Sequence, residues 1–224
     1  MNRSSRQGFT LIELLVVIAI IMLLVAVLLP ALSGSRKEAS KTHCLTRIRE
    51  VFIAHANYLY DEPSFPPLNN DEDDGSWQYN YLIWDGTDLD NNFGPILKHS
   101  GLIDDPTPFF CPVQRDTFHS KSTPNNPWPF RERFDTRAGY GRRYHVTGKS
   151  LSQMKTIAFL TDLVHYPDVV EQAHLKGVNV AYSDGHARWV IDPGILTDNE
   201  LGHPFSIMDN GIMEDIWDAL DERM

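Results

Sequence analysis

The sequence predicts an α+β chain: a long N-terminal helix, membrane-spanning in its first half, packed through its second half on a small antiparallel β-sheet head. Three observations predict it. Residues 14–29 form an apolar run without a single polar side chain. From Cys44 to Leu59 apolar residues recur at three- and four-residue steps, the period of a helix with one buried stripe. Residues 178–182 and 187–191 alternate around Asp184-Gly185, the pattern of a hairpin with a tight turn.

Composition narrows the function classes. The first thirty residues hold a disproportionate share of the aliphatics, so the remainder of the 224-residue chain is read as one head domain of ordinary polarity. The formal net charge is −10, from 20 basic and 30 acidic residues. An acidic head argues against DNA or RNA as a partner, because a phosphate backbone requires a basic footprint. Two cysteines, Cys44 and Cys111, are too few for a disulfide framework or a Cys-only zinc site.

A helix from Phe9 to Leu29 would span about 31 Å, close to the hydrocarbon thickness of a bilayer. Arg3 and Arg6 precede it, which by the positive-inside rule keeps the N-terminus cytoplasmic and sends the head outward. An ordinary secretory signal is the simpler reading, and Ala31-Leu32-Ser33 has the small-x-small form of its cleavage site. Two features oppose it: the apolar run is long for such a signal, and Glu13 lies in its first turn. A carboxylate at that depth costs roughly 2.5–3.5 kcal/mol, so it requires a partner or a task.

The run Gly8-Phe9-Thr10-Leu11-Ile12-Glu13-Leu14 resembles the signal of type IV prepilins and type II secretion pseudopilins. The resemblance implies cleavage after Gly8 by a prepilin peptidase on the cytoplasmic face, N-methylation of Phe9, and a role for Glu13 in assembly. Cleavage would create an ammonium at Phe9, which Glu13 of a neighbouring subunit can neutralise inside the membrane. Glycine suits the scissile position because its backbone is open to a protease. The expected division is a basic leader over residues 1–8, a transmembrane and assembly helix over 9–34, an amphipathic outer helix over 35–60, and an extracytoplasmic head over 61–224. Pro30 is open to two readings, a kink absorbed by bundle neighbours or a helix stop at the membrane surface.

Beyond the membrane the outer helix presents Cys44/Leu45, Ile48, Val51/Phe52, His55 and Tyr58/Leu59 as one stripe, and Asp61-Glu62-Pro63 ends it. Continuous from Phe9 to about Tyr60, the helix would be about 78 Å long. Its basic residues Arg36, Lys37, Lys41, Arg47 and Arg49 are read as a solvated face. Residues 61–76 read as an exposed loop, and 77–84 as an aromatic-rich helix or strand. The oxygen-rich stretch from Asp85 to Asn92 lacks the EF-hand spacing and is read as a solvated turn rather than a calcium loop. A short helix is expected over 94–103, closed at Gly101. Residues 106–113 are apolar enough to tuck against the core, and 120–137 read as a long surface loop. A buried strand is expected over 154–161. Residues 210–224 suggest an acidic amphipathic helix with Ile212, Ile216/Trp217 and Leu220 on one face; whether it docks on the head or on a neighbour is open.

His174, nine residues, then Asp184-Gly185 resembles a second signature, the H-X9-DG domain associated with prepilin processing. It implies membership of large sets of bacterial pseudopilin-like proteins and says little about cargo. Histidines and carboxylates at adjacent strand ends (His174, Asp184, His186 and Asp162) are suitable metal-ligand types. No nucleophile–base pair or third ligand has diagnostic spacing, so a structural role is favoured: Asp184-Gly185 makes the turn and His174 bonds the loop before the hairpin. No catalytic residue, metal or cofactor is expected. If the head is exported, Cys44 on the helix stripe and Cys111 in the tucked segment are expected to form a disulfide, with two unrelated buried thiols as the alternative.

The resemblance thus implies a structural subunit of a type II secretion-like pseudopilus or type IV pilus-like fibre rather than an enzyme. Its partners would be prepilin peptidase, other pilin or pseudopilin subunits and the inner membrane. The rival is a membrane-tethered periplasmic enzyme or ligand-binding protein that uses the same anchor.

Overall fold

The structure is a computed structural model that describes residues 11–67, 80–143, 146, 148–164, 167–174, 176–191 and 210–224. Gly8 and Phe9 lie outside the described residues, as do residues 68–79 of the loop and aromatic segment. Two compact units divide at Ser40/Lys41, so residues 41–61 of the first helix belong with the head.

Helix α1 runs from Leu11 to Asp61 and continues through Pro30, which is therefore not a stop. In the first unit, Leu11 to Leu29 are exposed on every side of the helix. A helix apolar all round is suited to lipid or to other helices, not to water. In the second unit the predicted stripe is the buried one: Cys44, Ile48, Val51 and His55 are wholly buried, and Phe52 nearly so. Each large apolar side chain removed from water contributes roughly 1.5–3 kcal/mol, an upper estimate because the unfolded chain already hides some of it.

That stripe packs on an antiparallel sheet in the order β3–β4–β5–β6, formed by Tyr140–Arg142, Ala158–Asp162, Gly177–Tyr182 and Ala187–Ile191. The β5–β6 hairpin is closed by Gly185, whose φ of +93° suits a residue without a Cβ. A Cβ built there would sit 3.3 Å from Phe52 Cε1, so the turn lies against the helix. Arg49 fixes the same junction by donating to the Ala187 carbonyl at 2.9 Å.

Strand β4 starts later than the sequence suggests, at Ala158, and holds a β-bulge between Ala158 and Leu160. Two residues there oppose one on β5. As a result both Phe159 and Leu160 join the helix-side core, while Ala158 joins the opposite one. Alternation then returns Asp162 to the helix side, across from Tyr140 on β3.

The other face of the sheet is covered by helix α3 (Pro167–Ala173) and helix α4 (Asn210–Asp221), through Val170, Ile216, Trp217 and Leu220. Helix α4 thus docks on its own head. Arg143 clamps it with two charged bonds, to Asp221 at 2.6 Å and Asp218 at 2.9 Å, and Asp221 also accepts from the Ala158 backbone N–H at 2.6 Å. No periodicity announced α3, a single short helix with Pro at its start.

Two loop readings are corrected. Phe65, within the stretch read as exposed, is buried against Phe159 and His55, at ring separations of 5.0 and 6.1 Å. An aromatic side chain gains too much by burial to stay out when the backbone passes the core. The long surface loop also contains strand β2 (Thr136–Arg137), which pairs with β1 (Leu82–Trp84). Its buried Asn126 side chain accepts from the Arg137 N–H at 2.7 Å and donates to the Arg137 carbonyl at 2.9 Å, giving the loop a fixed shape. Helix α2 occupies Gly94–His99, and Gly101 follows at positive φ as expected.

Candidate functional site

The residues singled out in the sequence fall into three places. The first is the N-terminal helix, where Glu13 stands in the first described turn. It is the only charged residue between Leu11 and Ser35.

The second is the hairpin turn. Asp184 and His186 bond each other there at 2.6 Å, both partly exposed, and the Asp184 carboxylate also accepts the His186 N–H at 3.1 Å. Burial works against it, but those bonds together hold Asp184 below its ordinary carboxylate range. The pair is a turn brace and takes no part with His174 or Asp162. In the oxygen-rich stretch, Asp85 Oδ1 likewise accepts from the Thr87 N–H, the Thr87 hydroxyl and the Asp88 N–H, at 2.9, 2.6 and 3.0 Å. That carboxylate oxygen is committed to closing its own turn.

The third place is a buried cluster that joins residues the sequence had treated separately. One ligand-type atom from each of Cys44, Cys111, Asp162 and His174 lies within 4.8 Å of the others, and all four residues are buried. They come from four separate pieces of chain. Helix α1 brings Cys44 on its stripe. The 3₁₀ turn Thr107–Phe109 leads Cys111 inward, where Gly139 allows contact: a Cβ at 139 would lie 2.4 Å from the Cys111 nitrogen. The bulged β4 brings Asp162, and the end of α3 brings His174.

The cluster's bonds are few. His174 Nε2 is 3.7 Å from Cys111 Sγ and 3.5 Å from Asp162 Oδ2. Asn179 on β5 donates its backbone and side-chain N–H groups to Asp162 Oδ2, at 2.7 and 2.9 Å. Asp162 Oδ1 and the Tyr140 hydroxyl, both buried, have no hydrogen-bond partner among the described residues. Burial raises the pKa of Asp162, with His174 opposing it. Burial also disfavours charge on His174, but the Cys111 sulfur and the Asp162 carboxylate outweigh it and hold the imidazole above its ordinary value. Burial, aided by the Cys44 sulfur, pushes the Cys111 thiol well up.

This corrects the expected role of His174: among the described residues its side chain meets Asp162, Cys111 and Asn179, and Trp189 edge-on at 5.3 Å. The two cysteines are thiols in the structure and face one another. Although the cluster contains Cys, His and Asp, it is not wired as a catalytic triad. A triad bonds its nucleophile and its carboxylate to opposite nitrogens of the imidazole, whereas here both face Nε2. Neither sulfur is open to a substrate, since Cys44 is fully buried and Cys111 is 4% exposed.

Comparison with known proteins bears on the N-terminal end. Residues 3–29 match the prokaryotic N-terminal methylation motif. The chain is 44% identical over 61 residues to the type IV wide pilus major component PilA4 of Thermus thermophilus, a stretch covering 27% of this chain and 47% of that protein. It is 33% identical over 66 residues to the type II secretion system core protein G of Klebsiella michiganensis, covering 30% of this chain and 46% of that one. The chain thus spans about half the length of the curated relatives it matches. No solved structure matches it. With the motif in place, the one described helix long and apolar enough to cross a membrane is a membrane anchor.

Proposed function

From a prepilin-like chain with an anchoring N-terminal helix, we propose a structural subunit of a type II secretion-like pseudopilus or a related type IV pilus-like fibre. The observation that carries this reading is the methylation motif over residues 3–29, whose stretch from Leu14 to Leu29 is helical, exposed and apolar on all sides. Such a surface is satisfied by lipid before assembly and by equivalent helices afterwards. Prepilin peptidase cuts after Gly8, Phe9 is methylated, and the head lies outside the inner membrane. Glu13 of one subunit then meets the Phe9 ammonium of another, which offsets the cost of holding each charge in an apolar bundle.

Mass spectrometry of the protein taken from membranes tests processing, and a chain beginning at methylated Phe9 is expected. A first residue at Gly34 instead would assign the cut to ordinary signal peptidase and end this reading. Assembly is tested with Glu13→Val, which leaves membrane insertion intact and abolishes sheared or cross-linked filaments. Filaments of normal yield from that variant would remove Glu13 from assembly.

A further inference from the structure

We propose that Cys44, Cys111, Asp162 and His174 form a four-ligand site for a thiophilic divalent cation, zinc(II) foremost, that fastens the outer part of helix α1 to the head. The inference does not depend on which kind of fibre the chain builds.

Donor chemistry is the first argument. Two sulfurs, one imidazole nitrogen and one carboxylate oxygen make a tetrahedral zinc set, whereas magnesium and calcium prefer all-oxygen shells. Spacing is the second. Zinc bonds of about 2.3 Å to sulfur and about 2.0–2.1 Å to nitrogen or oxygen, at tetrahedral angles, separate sulfur from nitrogen by about 3.6 Å and nitrogen from oxygen by about 3.4 Å. The observed separations from His174 Nε2 are 3.7 Å to Cys111 Sγ and 3.5 Å to Asp162 Oδ2. Both are long for hydrogen bonds and right for neighbours in one coordination shell. That they converge on a single ring nitrogen fits a shared ion at that nitrogen better than a proton relay.

Unpaired groups supply the third argument. Asp162 is 1% exposed and Oδ1 has no partner among the described residues, a costly arrangement for a carboxylate unless a cation meets it. Asn179 donates two N–H groups to Oδ2, the oxygen that also faces His174 Nε2, and so orients the carboxylate toward the cluster. Charge is the fourth. Two thiolates and a carboxylate around a divalent ion leave one negative charge, and two cations border the site. Lys41 Nζ stands 4.7 Å over the Trp189 ring that packs on His174, and Arg47 donates to the Phe110 carbonyl beside Cys111 at 2.7 Å.

A Cys44–Cys111 disulfide is the competing use of the same sulfurs. It would account for two of the four residues and leave the buried Asp162–His174 pair and the free carboxylate oxygen without a reason.

The test uses the full-length chain, purified in detergent micelles without a polyhistidine tag and under reducing conditions. Elemental analysis should find about one zinc per chain. Cobalt(II) exchanged into the site should give intense thiolate-to-cobalt absorption in the near ultraviolet and visible bands of a tetrahedral ion. Cys111→Ser and His174→Ala should each lose the metal and both spectral features. Should those variants fail to fold, the wild-type metal content and cobalt spectrum decide alone. Wild-type protein that carries no zinc, shows no cobalt–thiolate absorption and leaves both thiols open to alkylation after unfolding would overturn the proposal. So would non-reducing peptide mapping of membrane-derived protein that recovers Cys44 linked to Cys111.

Discussion

Acid should weaken the head through His55. The residue lies on the buried helix stripe, its ring 5.2 Å from Phe159 and 5.4 Å from Phe93, both edge-on. Its Nδ1 lies 2.7 Å from the Val51 carbonyl, and its Nε2 has no partner among the described residues. Burial, and then the Arg142 cation, lower its pKa from 6.5 to about 3. The folded chain therefore keeps His55 neutral while the unfolded chain takes up a proton, and that uptake draws the equilibrium toward unfolding. The loss starts as pH falls through about 6.5, grows by about 1.4 kcal/mol per unit, and levels off near about pH 3. At about pH 4.5 it reaches about 2.7 kcal/mol, a large share of the 5–15 kcal/mol that typically holds a domain together. Replacing His55 with Leu removes the proton site while keeping an apolar side chain of similar size. Urea unfolding of the full chain in micelles, followed by tryptophan fluorescence at about pH 8 and about pH 4.5, measures both proteins. Carboxylates common to the two cancel, so the gap between them should move by about 2.7 kcal/mol in the variant's favour on acidification. If wild type and variant follow the same pH curve, the imidazole is not held neutral by the core and the reasoning fails.

Two further substitutions probe the layers of the head. Trp217→Ala removes the largest fully buried side chain on the α4 face and should cost roughly 3–5 kcal/mol, seen as selective protease cleavage near α4 before the rest of the head; cleavage unchanged from wild type would mean α4 is held by its Arg143 clamp alone. Gly185→Ala forces a Cβ into a positive-φ turn that already lies against Phe52, and a loss of about 1 kcal/mol or more should lower the melting temperature by several degrees; an unaltered melting temperature would show that the turn can move off the helix.

Much of this architecture was legible because it repeats. The stripe from Cys44 to His55 and the alternation of β5 and β6 are periodic, and period is what local sequence encodes well. The closing roles of Gly101 and Gly185 were legible for a related reason, since positive φ narrows the choice of residue. Phe65, β2 and α3 were not, because their conformations answer to partners far along the chain. The cluster failed to show for the same reason with more force. Its ligands lie on four elements, without the short spacing that marks most metal motifs, so each was visible only as a type. His174 and Asp162 were grouped with Asp184 and His186, which belong to the turn beyond the far end of β5. Cys44 and Cys111 were paired with each other, which took in half of the set. Asn179 was legible only as one polar residue in an otherwise apolar strand, with nothing to mark its bonds to Asp162.

The bulge in β4 makes the head's chemistry a matter of counting. The extra residue sits within the bulge, so deletion of Phe159 would straighten the strand and leave Asp162 on the helix side, whereas deletion of Thr161 beyond it would turn Asp162 away from Cys44 and bring Leu163 there instead. Every side chain of the cluster would still be present in the chain. Drift in this protein should therefore tolerate exchange of one core aliphatic for another more readily than loss or gain of one position in β4 beyond the bulge. Length, more than composition, is what that strand must preserve.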